Sequence, residues 1–186
     1  MKKYLITLCL AVFLFVGNVA ADSVGENFEA GGIQLGGSGS YYNSLDGYSS
    51  FRINPFVNFF VVDNFSFGAG LVFNTNSNEE KNLSVYGSFA YSLVADPSAG
   101  TGFVGQMGMG MGYNNDLDGY GYFYFEPYVN AYYYITPRIA PYIGFRAITF
   151  FVDEYGFDMS TYINVSFGIV FSIPTKDKVI GGKSGR

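Results

Sequence analysis

The sequence contains no histidine and no tryptophan, and its single cysteine is Cys9. The absence of histidine removes the commonest general base, the Ser-His-Asp and Cys-His catalytic arrangements, and the commonest transition-metal ligand. Charged residues are also scarce, at 13% of the 186 residues. These absences disfavour most hydrolase mechanisms, and we expect neither a cofactor nor a bound metal ion.

Aromatic residues and glycine are abundant instead, with 20 Phe, 17 Tyr and 25 Gly. A chain this aromatic and this poor in charge is not typical of a disordered protein. Its length favours one domain, which can bury a full core or close one barrel.

The first residues resemble a secretory signal peptide. Lys2 and Lys3 precede an apolar run of 13 residues at 4–16, and Ala21 ends a stretch of small residues suited to a signal peptidase. The alternative is a transmembrane helix, which needs about 20 apolar residues. We therefore predict cleavage after Ala21, which would leave a mature chain without cysteine because Cys9 lies inside the run.

The predicted mature chain is acidic. Removing residues 1–21 takes away two lysines and no acid, which leaves 8 basic and 15 acidic residues and a net charge of −7. A nucleic-acid partner is not expected at this charge. Four of the basic residues lie in the last part of the chain, at Lys176, Lys178, Lys183 and Arg186.

Beyond residue 22 the sequence predicts eight strands and no helix of clear 3.6-residue period. Short connections alternate with longer acidic ones, a pattern typical of outer-membrane barrels with periplasmic turns and extracellular loops. The predicted strands are longer than most soluble strands and long enough to cross a bilayer at a tilt. They cover residues 29–41, 48–61, 65–76, 83–95, 101–113, 120–135, 138–152 and 160–173.

The two faces of these strands differ in polarity. In the second strand one face is wholly apolar, from Phe51 through Val57 to Val61, and the other carries Arg52, Asn54 and Asn58. The third, sixth and eighth strands show the same split, whereas Ile148 and Phe150 blur it in the seventh. One face is therefore expected to contact lipid and the other to line a lumen.

The strands of a soluble eight-stranded barrel, such as a lipocalin, also alternate between apolar and polar residues. The composition of the polar face therefore has to distinguish a membrane barrel from a soluble one. That face is mostly Gly, Ser, Asn and Tyr, whereas a water-facing sheet normally carries many charged side chains. A narrow lumen explains it, because glycine there makes room for tyrosine or arginine nearby. We predict an all-β fold: an eight-stranded antiparallel up-and-down transmembrane β-barrel.

Residues 54–70 and 133–142 carry a family resemblance. They resemble the strand-turn-strand units of the small outer-membrane β-barrel family of Gram-negative bacteria, which includes OmpA-like and OmpX-like transmembrane domains. The resemblance implies the cell outer membrane as location and outer-membrane lipids, lipopolysaccharide and the barrel insertion machinery as partners. In such proteins a terminal aromatic residue directs insertion; here Phe171 would have to act internally. We expect a signal peptide at 1–21, a barrel at 22–173 and a basic, flexible periplasmic tail at 174–186.

Three charged residues are candidates for the lumen: Arg52, Glu126 and Arg146. Each lies on the polar face at a similar distance from its turn, so all three are expected at one height. If Tyr134 pairs with Arg138, Glu126 stands directly across from Arg146, and a slip of two residues makes them diagonal neighbours. An ion cluster that cross-links the wall is the favoured interpretation, and a gate or selectivity ring of a small pore is the alternative.

Two motifs suggest ligand binding less strongly. Asn114, Asp116 and Asp118 place oxygen atoms at alternate positions, as in a calcium loop, but the distal glutamate of an EF-hand is missing. We favour a solvated acidic loop over a weak divalent-cation site. Residues 100–105 match G-x-G-x-x-G, but a period-two strand follows where a dinucleotide fingerprint needs a helix.

The sequence predicts location and shape better than activity. The favoured function is a structural or cell-surface interaction role, with acidic loops outside the cell and no catalysis. A narrow passive pore for ions or small solutes is the alternative. An outer-membrane enzyme that modifies lipid ranks third, because the barrel enzymes of this kind use a histidine.

Overall fold

The computed structural model describes residues 23–43, 49–76, 81–115, 121–152 and 158–174. The predicted signal peptide and the chain beyond Pro174 lie outside these residues. Within the described ranges, no helix is both long and apolar enough to cross a membrane. A short 3-10 helix, Gly25–Phe28, precedes eight strands, which are β1 (Ile33–Asn43), β2 (Ser49–Val62), β3 (Phe65–Asn76), β4 (Lys81–Val94), β5 (Gly102–Asn115), β6 (Gly121–Tyr134), β7 (Ile139–Val152) and β8 (Asp158–Ile173).

The strands form a closed barrel in sequence order, and every neighbouring pair is antiparallel. β1 and β8 close it, with Ile33 opposite Ile173 and Gly39 opposite Phe167. Closure removes the unpaired edges that an open sheet exposes. The predicted eight-stranded up-and-down barrel is confirmed.

The predicted strand boundaries agree with the observed ones to within a few residues, except at the first strand. The prediction began that strand at Glu29, but β1 begins at Ile33. Residues 29–32 belong instead to a non-strand segment in which Gly31 has a φ of 90°. Glycine adopts this left-handed conformation without the steric cost that other residues incur.

The predicted division into two faces is confirmed. Odd-numbered apolar side chains point out of the barrel, and their even-numbered neighbours point into it. Phe167 on the outer face is 64% exposed, whereas Ser166 beside it is 2% exposed. Ile148, which blurred the pattern in the seventh strand, points inward and is buried. The outside of the wall is therefore almost continuously apolar, as contact with lipid requires.

Glycines on the inner face lie directly across from large aromatic residues on the neighbouring strand. A Cβ atom added to Gly108 would lie 2.5 Å from the ring of Tyr128, its cross-strand partner. The same close approach occurs at four further cross-strand pairs, which are Gly36 with Phe56, Gly70 with Tyr86, Gly112 with Tyr124, and Gly168 with Tyr142. Glycine thus makes room for the rings that fill the lumen, as predicted.

The two ends of the barrel differ. At one end, here called the turn end, short connections at 63–64, 95–101 and 135–138 join consecutive strands. Asn64 in the tightest of these has a φ of 65°, a conformation that asparagine tolerates better than most residues. The other end, the loop end, carries the connections at 44–48, 77–80, 116–120 and 153–157, which lie outside the described residues.

Candidate functional site

The three charged residues singled out in the sequence meet inside the barrel. Arg52 Nη2 lies 2.8 Å from Glu126 Oε2, and Arg146 Nη1 lies 2.6 Å from Glu126 Oε1. The glutamate and Arg146 are about 95% buried, and the Arg52 side chain is 11% exposed. Each carboxylate oxygen therefore accepts one charge-assisted hydrogen bond, the strong kind. We refer to these residues as the lumen ion cluster.

The register of the β6–β7 hairpin differs from the prediction by two residues. Arg146 stands opposite Tyr128, so the direct pairing of Glu126 with Arg146 is wrong, and the two are diagonal neighbours, as in the alternative register that is slipped by two residues. Their side chains still meet, because diagonal neighbours on one sheet face lie within reach of long side chains. The β6–β7 pairing is interrupted between Phe125 and Tyr128, where Pro127 has no N–H to donate.

Aromatic and amide side chains surround the lumen ion cluster. The guanidinium carbon of Arg146 lies 5.5 Å from the centre of the Tyr128 ring, within the range of a cation–π contact. On the opposite wall the Tyr86 hydroxyl donates to Asn54 Oδ1 at 2.9 Å. Arg146 thus contacts an aromatic ring as well as the Glu126 carboxylate.

Below the lumen ion cluster, towards the turn end, an uncharged polar network fills the lumen. The Tyr132 hydroxyl donates to Gln106 Oε1 at 2.8 Å, and Gln106 Nε2 donates to the Ser92 hydroxyl at 3.2 Å. Nearer still to the turn end, Gln34 Nε2 donates to the Tyr134 hydroxyl at 3.0 Å. These side chains are buried. The Tyr132–Gln106–Ser92 bonds join the neighbouring strands β6, β5 and β4, and the Gln34–Tyr134 bond joins β1 to β6.

Little open space remains between the two layers. A void of about 10 Å³ lies among side chains that include Asn58, Tyr86, Tyr128 and Arg146. Such a volume holds about one water molecule. Around this void the described side chains of the lumen are packed so closely that they leave space for only one water molecule.

The turn end is closed by residues 23–32, which we call the N-terminal cap. Phe28 is 1% exposed, and its ring packs edge-on against Phe60 and Tyr134, with ring centres 5.2 and 5.9 Å away. Val24 is equally buried, and Asn27 is fully buried, with its side-chain amide donating to the Pro137 carbonyl. The cap therefore adds a further layer of packed side chains across the mouth of the barrel.

Backbone hydrogen bonds tie the N-terminal cap to the turns. The Val24 N–H donates to the Ala99 carbonyl at 2.8 Å, and the Asn64 N–H donates to the Phe28 carbonyl at 2.7 Å. The Ala30 N–H donates to Asp63 Oδ1 at 2.9 Å. With the contact of Asn27 to the third turn, the cap engages all three turns of this end.

Sequence reasoning missed the cap, because residues 23–32 have no apolar period and the 3-10 helix is only four residues long. The useful signal was the pair Gly31–Gly32, since such dipeptides mark a change of chain direction. That pair indicates that the strand cannot extend back to Glu29.

The β4–β5 turn holds an exposed carboxylate in a fixed arrangement. The hydroxyl and the N–H of Ser98 both donate to Asp96 Oδ1, at 2.7 and 3.0 Å. These hydrogen bonds stabilise the charged form and hold the pKa of Asp96 below its usual value. The turn end therefore keeps this negative charge at neutral pH.

Of the three residues of the suggested cation loop, the structure describes only Asn114, so the weak divalent-cation site stays a prediction. Asn114 lies in β5 and not in a loop, it is 5% exposed, and its Oδ1 accepts a hydrogen bond from the Ser84 hydroxyl at 2.8 Å. Asp116 and Asp118 lie outside the described residues. Within the described ranges, no group of three or more Asp, Glu, His or Cys side chains could hold a metal ion.

The barrel has the same fold as several solved outer-membrane proteins. Neisserial surface protein A aligns with a TM-score of 0.56 at 14% identity, over 75% of this chain and 95% of that protein. The outer-membrane protein OprG from Pseudomonas aeruginosa aligns with a TM-score of 0.51 at 10% identity, over 81% of this chain and 99% of that protein.

The chain has the fold of an outer-membrane β-barrel. The resemblance stated from residues 54–70 and 133–142 is thereby confirmed at the level of architecture. No protein-family model matches the sequence, and no curated protein matches it. The fold and the apolar outer wall are together those of a barrel that spans an outer membrane.

Proposed function

We propose that this protein is an outer-membrane barrel with a sealed lumen that serves as a rigid support for acidic loops at the cell surface. The observation that carries the proposal is the filling of the lumen in successive layers. The lumen ion cluster, the Tyr132–Gln106 network and the N-terminal cap succeed one another along the barrel. A support needs such rigidity, whereas a pore needs continuous open space.

The loops of the proposed support are acidic. By sequence, the four connections at the loop end contain seven acids and no base. This charge would repel anionic surfaces and favour cationic partners, or divalent ions that bridge the loops to lipopolysaccharide phosphates. Catalysis forms no part of the proposal, since the chain has no histidine to act as a general base. The acids are Asp46, Glu79, Glu80, Asp116, Asp118, Asp153 and Glu154.

Planar-bilayer recording of the purified mature protein tests the sealed lumen. We expect no stepwise conductance from the folded protein, while a porin incorporated under the same conditions gives clear steps. Reproducible steps that scale with the amount of folded protein would overturn the proposal in favour of a narrow passive pore.

A second measurement tests the role of the loops. Replacing Glu79 and Glu80 by Gln should weaken binding of cells to cationic beads and leave the amount of folded barrel unchanged. The matched control replaces Glu26 and Glu29 by Gln, since the proposed topology places these residues on the periplasmic side. Equal effects of the two pairs would contradict surface display of the loops.

A further inference from the structure

A groove at the turn end connects the N-terminal cap with the lipid-facing wall. It has a volume of about 420 Å³ and lies between the cap, the β2–β3 turn and the last residues of β4. Sites for small molecules commonly have volumes of about 300 to 1,000 Å³. Tyr91 and Leu93 of β4 line the groove and belong to the outer wall, where they are 45% and 54% exposed. A molecule in this groove would therefore touch both the bilayer and the cap.

The groove has a carboxylate at its polar side. Asp63 of the β2–β3 turn lines it and is exposed, and its Oδ1 accepts a hydrogen bond from the Ala30 N–H at 2.9 Å. That hydrogen bond fixes the direction of the carboxylate, which attracts cations. Tyr91 adds a hydroxyl on the side of the outer wall, as is common where a membrane surface meets water.

Backbone contacts hold the walls of the groove in place. The Ser92 N–H donates to the Asn64 carbonyl at 2.8 Å, and the Gly25 N–H donates to the Pro97 carbonyl at 3.0 Å. A Cβ atom added to Gly25 would lie 2.6 Å from that carbonyl oxygen, so the close approach of cap and turn requires glycine here. The groove is thus formed in advance, which lowers the cost of ordering it around a ligand.

The lining indicates a ligand with a cationic group and an apolar chain. A cation dissolved in water would meet the carboxylate but leave the exposed side of Leu93 uncovered. A phospholipid with a primary ammonium group meets both, because its acyl chains already lie against the outer wall. A primary ammonium has three N–H donors, whereas the quaternary ammonium of choline has none. The carboxylate therefore favours ethanolamine over choline.

We propose that this groove binds the headgroup of phosphatidylethanolamine. The ammonium group donates to the Asp63 carboxylate, the phosphate accepts a hydrogen bond from the Tyr91 hydroxyl, and an acyl chain lies along Leu93. The bound lipid thereby anchors the turn end at the membrane surface. This inference does not depend on the proposed role of the loops or on the sealing of the lumen.

Native mass spectrometry of the refolded mature protein tests the proposal. The protein is taken from vesicles that contain equal amounts of phosphatidylethanolamine and phosphatidylcholine with the same acyl chains. We expect phosphatidylethanolamine to be retained about tenfold more often, a ratio that corresponds to about 1.4 kcal/mol. Phosphoethanolamine without acyl chains, added at the same concentration as the lipid, should leave the bound lipid in place.

Two aspartate variants test the role of the carboxylate. Asp63→Asn removes the charge but keeps an oxygen that can accept the hydrogen bond from Ala30, so the cap should stay in place and the two lipids should be retained equally. Asp96→Asn is the matched control, because Asp96 is also an exposed acid of the turn end but does not line the groove. It should keep the tenfold preference.

Two tyrosine variants test the hydroxyl separately from the fold. Tyr91→Phe keeps the ring on the outer wall and should reduce the number of retained phosphatidylethanolamine molecules. Tyr133→Phe is its control, since Tyr133 also lies on the outer wall near the turn end, at 43% against 45% exposure, but outside the groove. It should leave retention unchanged.

Three results would overturn the proposal. Equal retention of the two lipids by the unaltered protein would show that the groove does not recognise the ammonium group. An equal loss of preference in Asp63→Asn and Asp96→Asn would assign the effect to the overall charge of the turn end. Displacement of the lipid by phosphoethanolamine would assign the groove to a soluble cation.

Discussion

Glu126 balances two arginines in the interior of the barrel. Its carboxylate contacts the guanidinium groups of both Arg52 and Arg146. Burying an ion is costly unless a partner of opposite charge lies within hydrogen-bonding distance. The lumen ion cluster therefore stabilises the barrel only as long as this carboxylate is present.

Glu126→Gln should lower the free energy of unfolding by about 3 to 5 kcal/mol, because it leaves the buried Arg146 guanidinium and the mostly buried Arg52 guanidinium without a counter-charge. Arg52→Gln is the matched control: it removes a partly exposed partner and leaves the Arg146–Glu126 pair balanced, so the loss should be smaller. Urea titration of the refolded barrel in lipid vesicles measures both. If the two variants unfold alike, the carboxylate does not hold the cluster together.

At the scale of the strand, the inner wall depends on glycine lying opposite an aromatic ring. β5 offers a direct comparison, since Gly108 faces the Tyr128 ring and Gly105 faces outward with nothing within 4 Å of an added Cβ. Both glycines lie in the same strand. They differ in whether the methyl group of an alanine would collide with a neighbouring side chain.

Gly108→Ala should destabilise the barrel by about 1 to 3 kcal/mol, the usual cost of inserting a group into a packed interior. Gly105→Ala should be neutral or slightly stabilising, because alanine loses less conformational entropy than glycine on folding. Unfolding titrations of the two variants decide the matter, and a larger loss for Gly105→Ala would mean that the faces have been assigned wrongly.

The sequence predicted the strands and their faces because alternation with a period of two is a local property of each segment. It could not predict the register of β6 against β7. A shift of two residues leaves every side chain on its own face, so the alternation is the same for both registers. The observed register depends on the 135–138 turn, where Thr136 pairs with Ile139.

The residues of the lumen ion cluster could be predicted from the sequence, whereas the N-terminal cap could not. Charges are rare on the strands, so Arg52, Glu126 and Arg146 stood out and had few possible partners. The position of Phe28 depends on contacts with Phe60 and Tyr134, which are remote in the chain. Long-range contacts of a short irregular segment leave no periodic pattern to detect.

At the scale of the whole molecule, the free-energy cost of a charged residue on the outer wall should depend on its depth in the bilayer. Val57→Arg, near the middle of β2, should cost about 2 to 4 kcal/mol, and Val61→Arg, near the turn end of the same strand, about 0 to 1 kcal/mol. The two valines are equally exposed, at 41% and 40%, which makes them a matched pair. Equal costs in a vesicle refolding titration would contradict burial of this wall in lipid.

The central claim is that the closed barrel spans the outer membrane, and electrophoresis of fractionated cells expressing the full chain tests it most directly. A closed barrel has no unpaired sheet edge, and such a barrel resists detergent until it is heated. The protein should therefore appear in the outer-membrane fraction, and its band should change mobility when the sample is boiled. Recovery in the soluble periplasmic fraction, with the same mobility before and after boiling, would contradict the account.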